Sequence, residues 1–536
     1  MNKPTNIQTS LTQKASIPIL LVSVFIIAIC GILYELLISS ISAYFLGSSI
    51  LHFSLTIGLF LSFMGLGAYL SRFISDKKLL DRFIIIEVWL GVIGGASGAL
   101  LYVSYAVTEN YYLIAFLLLG SIGTLVGLEI PILTRIIRGY FNLKDTLAQV
   151  LSFDYLGALI ASVLFPLFLL PYMGLTRTSF FIGLLNLSVA LFNMVVFKTQ
   201  LAQFKRMVAV TLLITVVYVI GFFAAFTISG FFEQFLYQDD VVYTKQSPYQ
   251  RLVITQWKDD TRLYINGNLQ FSSIDEYRYH ESLVHVPMAL AKNTESVLFL
   301  GAGDGLAIRE VLKHPEVKQI HVVDLDPEMT KLGRQHTVFK KLNQGAFESP
   351  KVKVFNQDAF KFVEKEAKQF YSLIIIDLPD PNDINVGKLY TREFYSLVKR
   401  RLAKDGAMVT QSTSPFFARK AFWCINRTLQ EVFPTTIPYT VNVPSFGQWG
   451  FNIALNYPLA RPNQHFNKKK LASYLNEQLF EKTPAFKNQL RYLTPEVINS
   501  FLYFDKDMAK LPTQINTLNT QKLVQYYEEG WRNYNR

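Results

Sequence analysis

The sequence predicts a chain in two parts, a multi-pass α-helical membrane half followed by an α/β half, and three observations predict it. Apolar runs of about twenty residues fill the first 230 positions. Short alternating strands begin near 241, and from 297 onward apolar strand-length runs alternate with helical stretches. At 536 residues the chain also exceeds what one hydrophobic core usually organises.

Composition narrows the classes of partner. Hydrophobic residues make up 51% of the chain and mean hydropathy is +0.25, high for a soluble protein, with the apolar excess in the first 230 residues. A formal charge of +12 raises nucleic acid as a partner, but residues 1–230 hold 13 Lys/Arg against 8 Asp/Glu and the remainder 39 against 32. Neither half is strongly basic and no aromatic-basic RNA-binding motif occurs in the second, so nucleic-acid binding is not expected. Cys30 and Cys424 fall in different halves, which argues against a disulfide framework. Lys3 and Lys14 precede an apolar run as in a signal peptide, but Glu35 follows and no small-residue cleavage site is evident. A retained first span is expected.

Crossing about 30 Å of hydrocarbon takes roughly 20 helical residues, and runs of that size lie near 17–39, 49–70, 83–107, 111–134, 147–171, 177–197 and 207–230. Backbone groups find no water partner in lipid, so a seven-helix transmembrane domain is expected over 1–235, multi-pass in the cell membrane. Arg72, Lys77, Lys78 and Arg82 follow the second run, Arg135, Arg138 and Lys144 the fourth, and Lys198, Lys205 and Arg206 the sixth. The other loops offer little beyond Glu109 and Arg177. By the positive-inside rule the N-terminus is cytoplasmic, and seven spans then put the following domain on the far side. Glu35, Glu87, Glu129 and Asp154 lie within or near the apolar runs. Such carboxylates are costly and usually face a bundle interior; they read either as a path for a cation or as hydrogen-bonded glue between helices.

From 241 the pattern changes to short strands: Val241-Val242-Tyr243, Gln250–Thr255 and Arg262–Ile265, with Asn266-Gly267 as a strong hairpin signal. A small β-hairpin subdomain is expected over 236–290. Val297–Leu300, Ile320–Val323, Val352–Phe355, Leu373–Ile376 and Ala407–Thr410 then alternate with helical stretches as repeated βα units. That spacing predicts a Rossmann-like, methyltransferase-type doubly wound sheet over 291–460, whose ligand binds beyond the carboxyl ends of the strands. Residues 461–536 read as a helical tail. Its Lys468-Lys469-Lys470 run is expected to be solvated, and no chemistry is assigned to it.

Several of these strands end in an acid. The first runs into Gly301-Ala302-Gly303-Asp304-Gly305, where glycines let the backbone turn sharply and approach a ligand. The third glycine of a dinucleotide fingerprint is missing, so this motif alone is a weak signal. The second strand ends at Asp324, about twenty residues on, where an acid commonly holds ribose hydroxyls. The third leads to Gln357-Asp358-Ala359, a carboxylate that suits an adenine amino group and equally a helix N-cap. The fourth ends in Asp377-Leu378-Pro379-Asp380-Pro381, two carboxylates on a proline-stiffened loop. The set points to a nucleoside bound beside paired acids.

Tyr249-Gln250, Asp275-Glu276-Tyr277-Arg278-Tyr279-His280-Glu281, Gly301–Gly305, Gln357–Ala359 and Asp377–Pro381 together resemble the ordered signatures of the spermidine synthases, the polyamine aminopropyltransferases, over about residues 240–455. The membrane-fused branch of that family looks similar in Tyr390–Tyr395, Lys420–Trp423 and Val443–Gly450. The resemblance implies aminopropyl transfer from decarboxylated S-adenosylmethionine to putrescine or a related amine, giving spermidine and methylthioadenosine. It implies that Gln250, Asp324, Asp358 and Ala359 hold the adenosyl part and that His280 and Asp304 contact the aminopropyl or polyamine chain. Asp377 matches the family's catalytic acid, Tyr279 would assist near the reacting amine, and Asp380 would bind the polyamine. A homodimer through the catalytic domain is implied as well, with no metal and no further cofactor.

Elementary chemistry agrees with those roles. An alkylamine must shed a proton before it attacks carbon beside a sulfonium, and its pKa is near about 10.4 by analogy with lysine. A close carboxylate can orient it and accept the proton, which makes Asp377 the candidate base and Asp380 the candidate cation anchor. Asp304 facing the aminoalkyl tail attracts an ammonium and repels a carboxylate, favouring the decarboxylated substrate. Two alternatives stay open: an S-adenosylmethionine methyltransferase on the same fold, and a polyamine transporter or sensor motivated by the intramembrane acids. The sequence also departs from soluble relatives. Asn382–Gly387 replaces a Gly-Pro-Gly-like turn, Gln411-Ser412-Thr413-Ser414 has no acid, and no tyrosine precedes Phe446-Gly447-Gln448. A cytosolic nucleoside conflicts with an outward-facing domain unless one run does not cross, the loop charges mislead, or the chemistry occurs outside.

Overall fold

The computed structural model describes residues 6–46, 49–108, 110–137, 143–459, 467–482 and 489–532. Lys3, Glu109 and Arg138 lie outside the described residues. The chain divides into two compact units, Met1–Asp240 and Val241–Arg536.

The first unit is helical: α1 (Asn6–Leu46), α2 (Ser49–Leu70), α3 (Leu79–Val107), α4 (Tyr111–Ile137), α5 (Leu143–Leu164), α6 (Leu170–Val196) and α7 (Phe204–Leu236). Among the described residues six stretches are long and apolar enough to cross a membrane, the fifth being the 50-residue run Leu147–Val196. That run holds both the fifth and sixth apolar runs of the sequence. Gly174, at φ +69°, breaks its helical path, and Thr178 Oγ1 donates to the Leu169 carbonyl at 3.4 Å. Nine residues of straight helix would separate those positions by about 13 Å, so the chain turns back at Gly174. Arg135 at the end of α4 donates to the carbonyls of Ser71 at 3.0 Å and Ile74 at 2.7 Å and pairs with Asp76. The second and fourth runs therefore end on the same side of the bundle. Glu35, Glu87 and Glu129 are buried and Asp154 half-buried within it.

The second unit opens with a four-stranded antiparallel meander: β1 (Asp240–Gln246), β2 (Arg251–Trp257), β3 (Asp260–Ile265) and β4 (Asn268–Ser272). Asn266 and Gly267 both take positive φ between β3 and β4, which matches the right-handed strand twist of a tight hairpin. A seven-stranded sheet follows, of β5 (Ser296–Gly301), β6 (Gln319–Asp324), β7 (Val352–Asn356), β8 (Tyr371–Asp377), β9 (Leu402–Gln411), β10 (Thr435–Val443) and β11 (Gly447–Leu455). Its order is β7-β6-β5-β8-β9-β11-β10, parallel except for the antiparallel β11. The order reverses between β5 and β8, which fixes the ligand crevice at their carboxyl ends.

Both faces of this sheet are covered, as the apolar runs of its central strands β5 and β8 require. Val297, Phe299, Leu373 and Ile375 pack with Leu283, Val284 and Val286 of α8 (Glu276–Leu290), while Leu298, Leu300, Ile374 and Ile376 face Phe394, Val398 and Ile425. Each such side chain contributes about 1.5–3 kcal/mol by leaving water. The meander rests Leu252, Ile254 and Phe271 on Leu306 of α9 (Leu306–Leu312) and on Met329 and Leu332 of α10 (Pro327–Gln335).

Two stretches sit elsewhere than the sequence map drew them. Helix α8, at the end of the stretch read as the hairpin subdomain, lies in the core of the large sheet. The tail beyond 461 is also built into that core. Leu471, Leu475, Ile498 and Phe501 join one layer and Leu523 the other. Glu281 of α8, fully buried, accepts backbone N–H groups from Arg491 at 2.6 Å, Tyr492 at 2.9 Å and Leu493 at 3.0 Å. A carboxylate with three such donors is strongly anchored, and it stitches the tail to α8.

Candidate active site

The crevice begins with an approach that only glycine permits. Gly301, at φ +96°, pairs in register with Asp377, and a Cβ there would stand 1.9 Å from the Asp377 carbonyl oxygen. At Gly303 a Cβ would meet Asp324 Oδ2 at 2.4 Å. The turn from β5 into α9 is thus wedged between the acids that end β6 and β8. Asp304 caps this turn, its Oδ1 accepting from Leu306 N at 2.9 Å.

Helix α8 delivers Tyr279 and His280 to the same place. The Tyr279 hydroxyl donates to Asp377 Oδ1 at 2.6 Å, and its ring meets Phe451 edge-on at a centroid distance of 5.0 Å. His280 Nδ1 lies 2.8 Å from both the Glu276 carbonyl and Glu276 Oε2. Burial opposes a charge on His280, but Glu276, Asp304 and Asp377 outweigh it and push the imidazolium up to about 9. At neutral pH His280 is a cation. The start of α8 is fixed by Asp275, which accepts from Ser445 N at 2.7 Å and Ser445 Oγ at 2.9 Å.

The carboxylates differ in their surroundings. Burial pushes Asp377 up to about 6, with His280 and the Tyr279 hydroxyl pulling the other way. Asp380 also rises to about 6 by burial, against donors from Tyr527, Gln411 and Thr413. Gln411 Nε2 reaches Asp380 Oδ1 at 3.2 Å and Thr413 Oγ1 reaches Oδ2 at 3.1 Å. Burial raises Asp304, and it lifts Asp324 to about 7. Two buried carboxyls of this crevice are thus held well above the ordinary carboxylate range.

Asp324 is tied to the Gln250 turn. Its Oδ1 accepts from Asp326 N at 2.9 Å, Asp326 Oδ2 accepts from Ser247 Oγ at 2.8 Å, and Ser247 Oγ accepts from Gln250 N at 3.0 Å. Asp358 does cap a helix, accepting from Lys361 N at 3.1 Å, with Ala359 buried behind it. Its Oδ2 also pairs with Lys388 Nζ at 2.9 Å. Burial works against its charge, but Lys388 and the Lys361 N–H hold its carboxyl below the usual value. The structure therefore gathers Tyr279, His280, Asp304, Asp377 and Asp380 around β5 and β8, and sets Gln250, Asp324, Asp358 and Ala359 along β6 and β7.

Sequence reasoning missed the groups that hold these residues. The Glu276 to His280 spacing of four was visible as a helical pair, but Arg309, Lys388 and Gln411 declare nothing without the fold. Tyr527 lay in a tail to which no chemistry was assigned. It stands on the helix Lys522–Arg532 and hydrogen-bonds to Asp380. Among the described residues no group of three or more His, Cys, Asp or Glu gathers as metal ligands would.

A largely parallel sheet with buried acids gathered at its switch point is the architecture of a nucleoside-binding α/β enzyme. A family model of the spermine/spermidine synthase domain matches residues 276–467. The chain is 41% identical over 512 residues to the polyamine aminopropyltransferase of Leptospira interrogans, covering 96% of this chain and 98% of the relative. It is 40% identical over 519 residues to polyamine aminopropyltransferase 2 of Ralstonia nicotianae, covering 96% and 98%. A crystal structure of spermidine synthase in complex with the transition-state analogue AdoDATO is similar at 28% identity and TM-score 0.43, covering 53% of this chain and 88% of that one. The chain belongs to the polyamine aminopropyltransferase family and is a transferase of aminopropyl groups.

Proposed function

We propose that the co-substrate is decarboxylated S-adenosylmethionine and that the acceptor is putrescine or a related diamine, with methylthioadenosine released. The observation that supports this reading most is the 2.6 Å contact of Tyr279 with Asp377, in a crevice whose other charged groups are Asp304, Asp380 and His280. The adenosyl part lies along β5 to β7, its ribose at Asp324 and its adenine between Gln250 and Asp358-Ala359. The ammonium of the aminopropyl arm sits at Asp304.

The diamine enters with its far ammonium at Asp380. Asp377 takes one proton from the near ammonium, oriented by Tyr279, and the freed nitrogen lone pair attacks the propyl carbon bonded to sulfur. The new C–N bond forms as the C–S bond breaks, its electron pair returning to the sulfonium and leaving a neutral thioether. An imidazolium at His280 would repel the cationic chain, so its role is to keep Asp304 and Asp377 ionised.

The same proposal places the first unit as a multi-pass anchor in the lipid bilayer of the cell membrane, on the length and apolarity of its helices. It includes a homodimer through the α/β unit, read by light scattering on the full chain in detergent. Mass spectrometry of products from 1,3-, 1,4- and 1,5-diamines tests the acceptor assignment. One aminopropyl unit is expected on the four-carbon diamine or its neighbours; products from none of the three overturn it.

A further inference from the structure

Asp380 is enclosed by donors from separate stretches of the chain. Gln411 at the end of β9 reaches its Oδ1 at 3.2 Å, Thr413 in the following turn reaches its Oδ2 at 3.1 Å, and the Tyr527 hydroxyl on the helix Lys522–Arg532 completes the set. Thr413 is a β-branched residue at φ +57°, a conformation such residues avoid, and its N–H is held by Gln411 Oε1 at 2.9 Å. Strain of that kind persists only where the surroundings over-determine it, and here it aims Oγ1 at Asp380. A carboxylate offers about four lone-pair sites, so these donors leave Asp380 about one more to use.

The helix that carries Tyr527 is locked in place. A Cβ at Gly530 would stand 2.8 Å from the Phe417 carbonyl oxygen, and Trp531 stacks on Phe417 at a centroid distance of 5.1 Å. Ahead of the helix, the fully buried Asn516 donates its Nδ2 to the carbonyls of Gly387 and Tyr390, both at 3.2 Å, and so ties the tail to the loop that leaves Asp380. Moving Tyr527 away from Asp380 breaks these contacts together.

We infer that the helix Lys522–Arg532 is the end wall of the acceptor crevice and that Tyr527 sets the length of amine the chain accepts. A diamine ends at Asp380. Its far ammonium gives one N–H to the carboxylate and another to the Tyr527 oxygen, which still accepts while its own proton is on Asp380. A triamine such as spermidine puts a secondary nitrogen at that point, with one N–H fewer, and the rest of its chain runs on into the Tyr527 ring and the close packing behind it. That Asp380 takes the far ammonium rests on the catalytic reading above; the length limit rests on the docked helix.

The test is calorimetric binding of 1,4-diaminobutane and of spermidine to the full chain in detergent. Asp377→Asn silences turnover, and saturating decarboxylated S-adenosylmethionine fills the aminopropyl position so that either amine can enter only the acceptor crevice. With Tyr527 intact the diamine is expected to bind at least about tenfold tighter than the triamine. Tyr527→Ala is expected to shift that ratio at least about tenfold toward the triamine, and Tyr527→Phe, which keeps the ring, to weaken the diamine and keep the preference. Tyr527→Leu keeps an apolar side chain on the helix and reads the same ratio if Tyr527→Ala fails to fold. Equal binding of the two amines with Tyr527 intact, a ratio indifferent to the Ala and Leu variants, or no saturable diamine binding overturns the inference. Methylthioadenosine release is read separately on protein with Asp377 intact, so failure of the catalytic reading and failure of the length limit are told apart.

Discussion

Arg309 grips Glu276 with two hydrogen bonds, Nη1 to Oε1 at 2.9 Å and Nη2 to Oε2 at 3.0 Å, and Glu276 in turn holds His280. All three side chains are buried. The bidentate pair locks the carboxylate in one orientation, and through it the imidazolium that faces Asp304 and Asp377.

Glu276→Gln is predicted to lower the His280 pKa from about 9 and to leave Arg309 with Glu310 as its remaining carboxylate partner, costing about 1–3 kcal/mol of stability. NMR titration of the His280 ring checks the first part and thermal unfolding the second. An unshifted His280 would show that Glu276 does not set its charge.

The raised His280 value makes stability depend on pH with a definite sign. Its contribution is fully present below the unfolded value of about 6.5 and is lost as pH rises through about 9. The melting temperature of the wild type is expected to fall across that window more than that of His280→Gln. Parallel curves would contradict the assignment.

Asp377 acts only when ionised, so turnover is expected to decline as pH falls through about 6. Tyr279→Phe removes a donor that favours the charged carboxylate, and the acidic limb of the pH–rate profile is predicted to move upward. A limb that stays in place would remove Tyr279 from the role proposed for it.

Tyr527→Phe takes a hydrogen bond from Asp380, the proposed anchor for the far ammonium. The KM for diamine is expected to rise about 5- to 20-fold, from the loss of about 1–2 kcal/mol, with nucleoside affinity little changed. Equal losses for both substrates would point to disturbed packing of the helix Lys522–Arg532.

A methyl group at Gly303 must displace Asp324 Oδ2, 2.4 Å away. Gly303→Ala is predicted to weaken nucleoside binding at least about tenfold while the chain remains folded. Calorimetry with methylthioadenosine and the variant's melting curve read the two effects.

The parts of the fold that sequence made legible are those with a local cause. Apolar runs of membrane length, the Asn266-Gly267 turn and the apolar cores of strands β5 and β8 each declare their structure in a few residues. The fifth apolar strand begins five residues earlier than read, at Leu402, because its first half carries Lys404 and Asp405 at an exposed end. The site acids were legible because strand ends place them. Their supports were not: Arg309 lies 33 residues from Glu276, and Tyr527 lies 147 residues from Asp380. Such partners are set by the packing of α9 and of the helix Lys522–Arg532, which no local pattern encodes.

The most direct test of the central claim is methylthioadenosine release by the purified full chain given decarboxylated S-adenosylmethionine and putrescine. The account predicts release with the wild type and a loss of about 10²- to 10⁴-fold in kcat with Asp377→Asn, nucleoside binding being retained. Release that Asp377→Asn leaves unchanged, or no release with any diamine from protein that still binds the nucleoside, would contradict it.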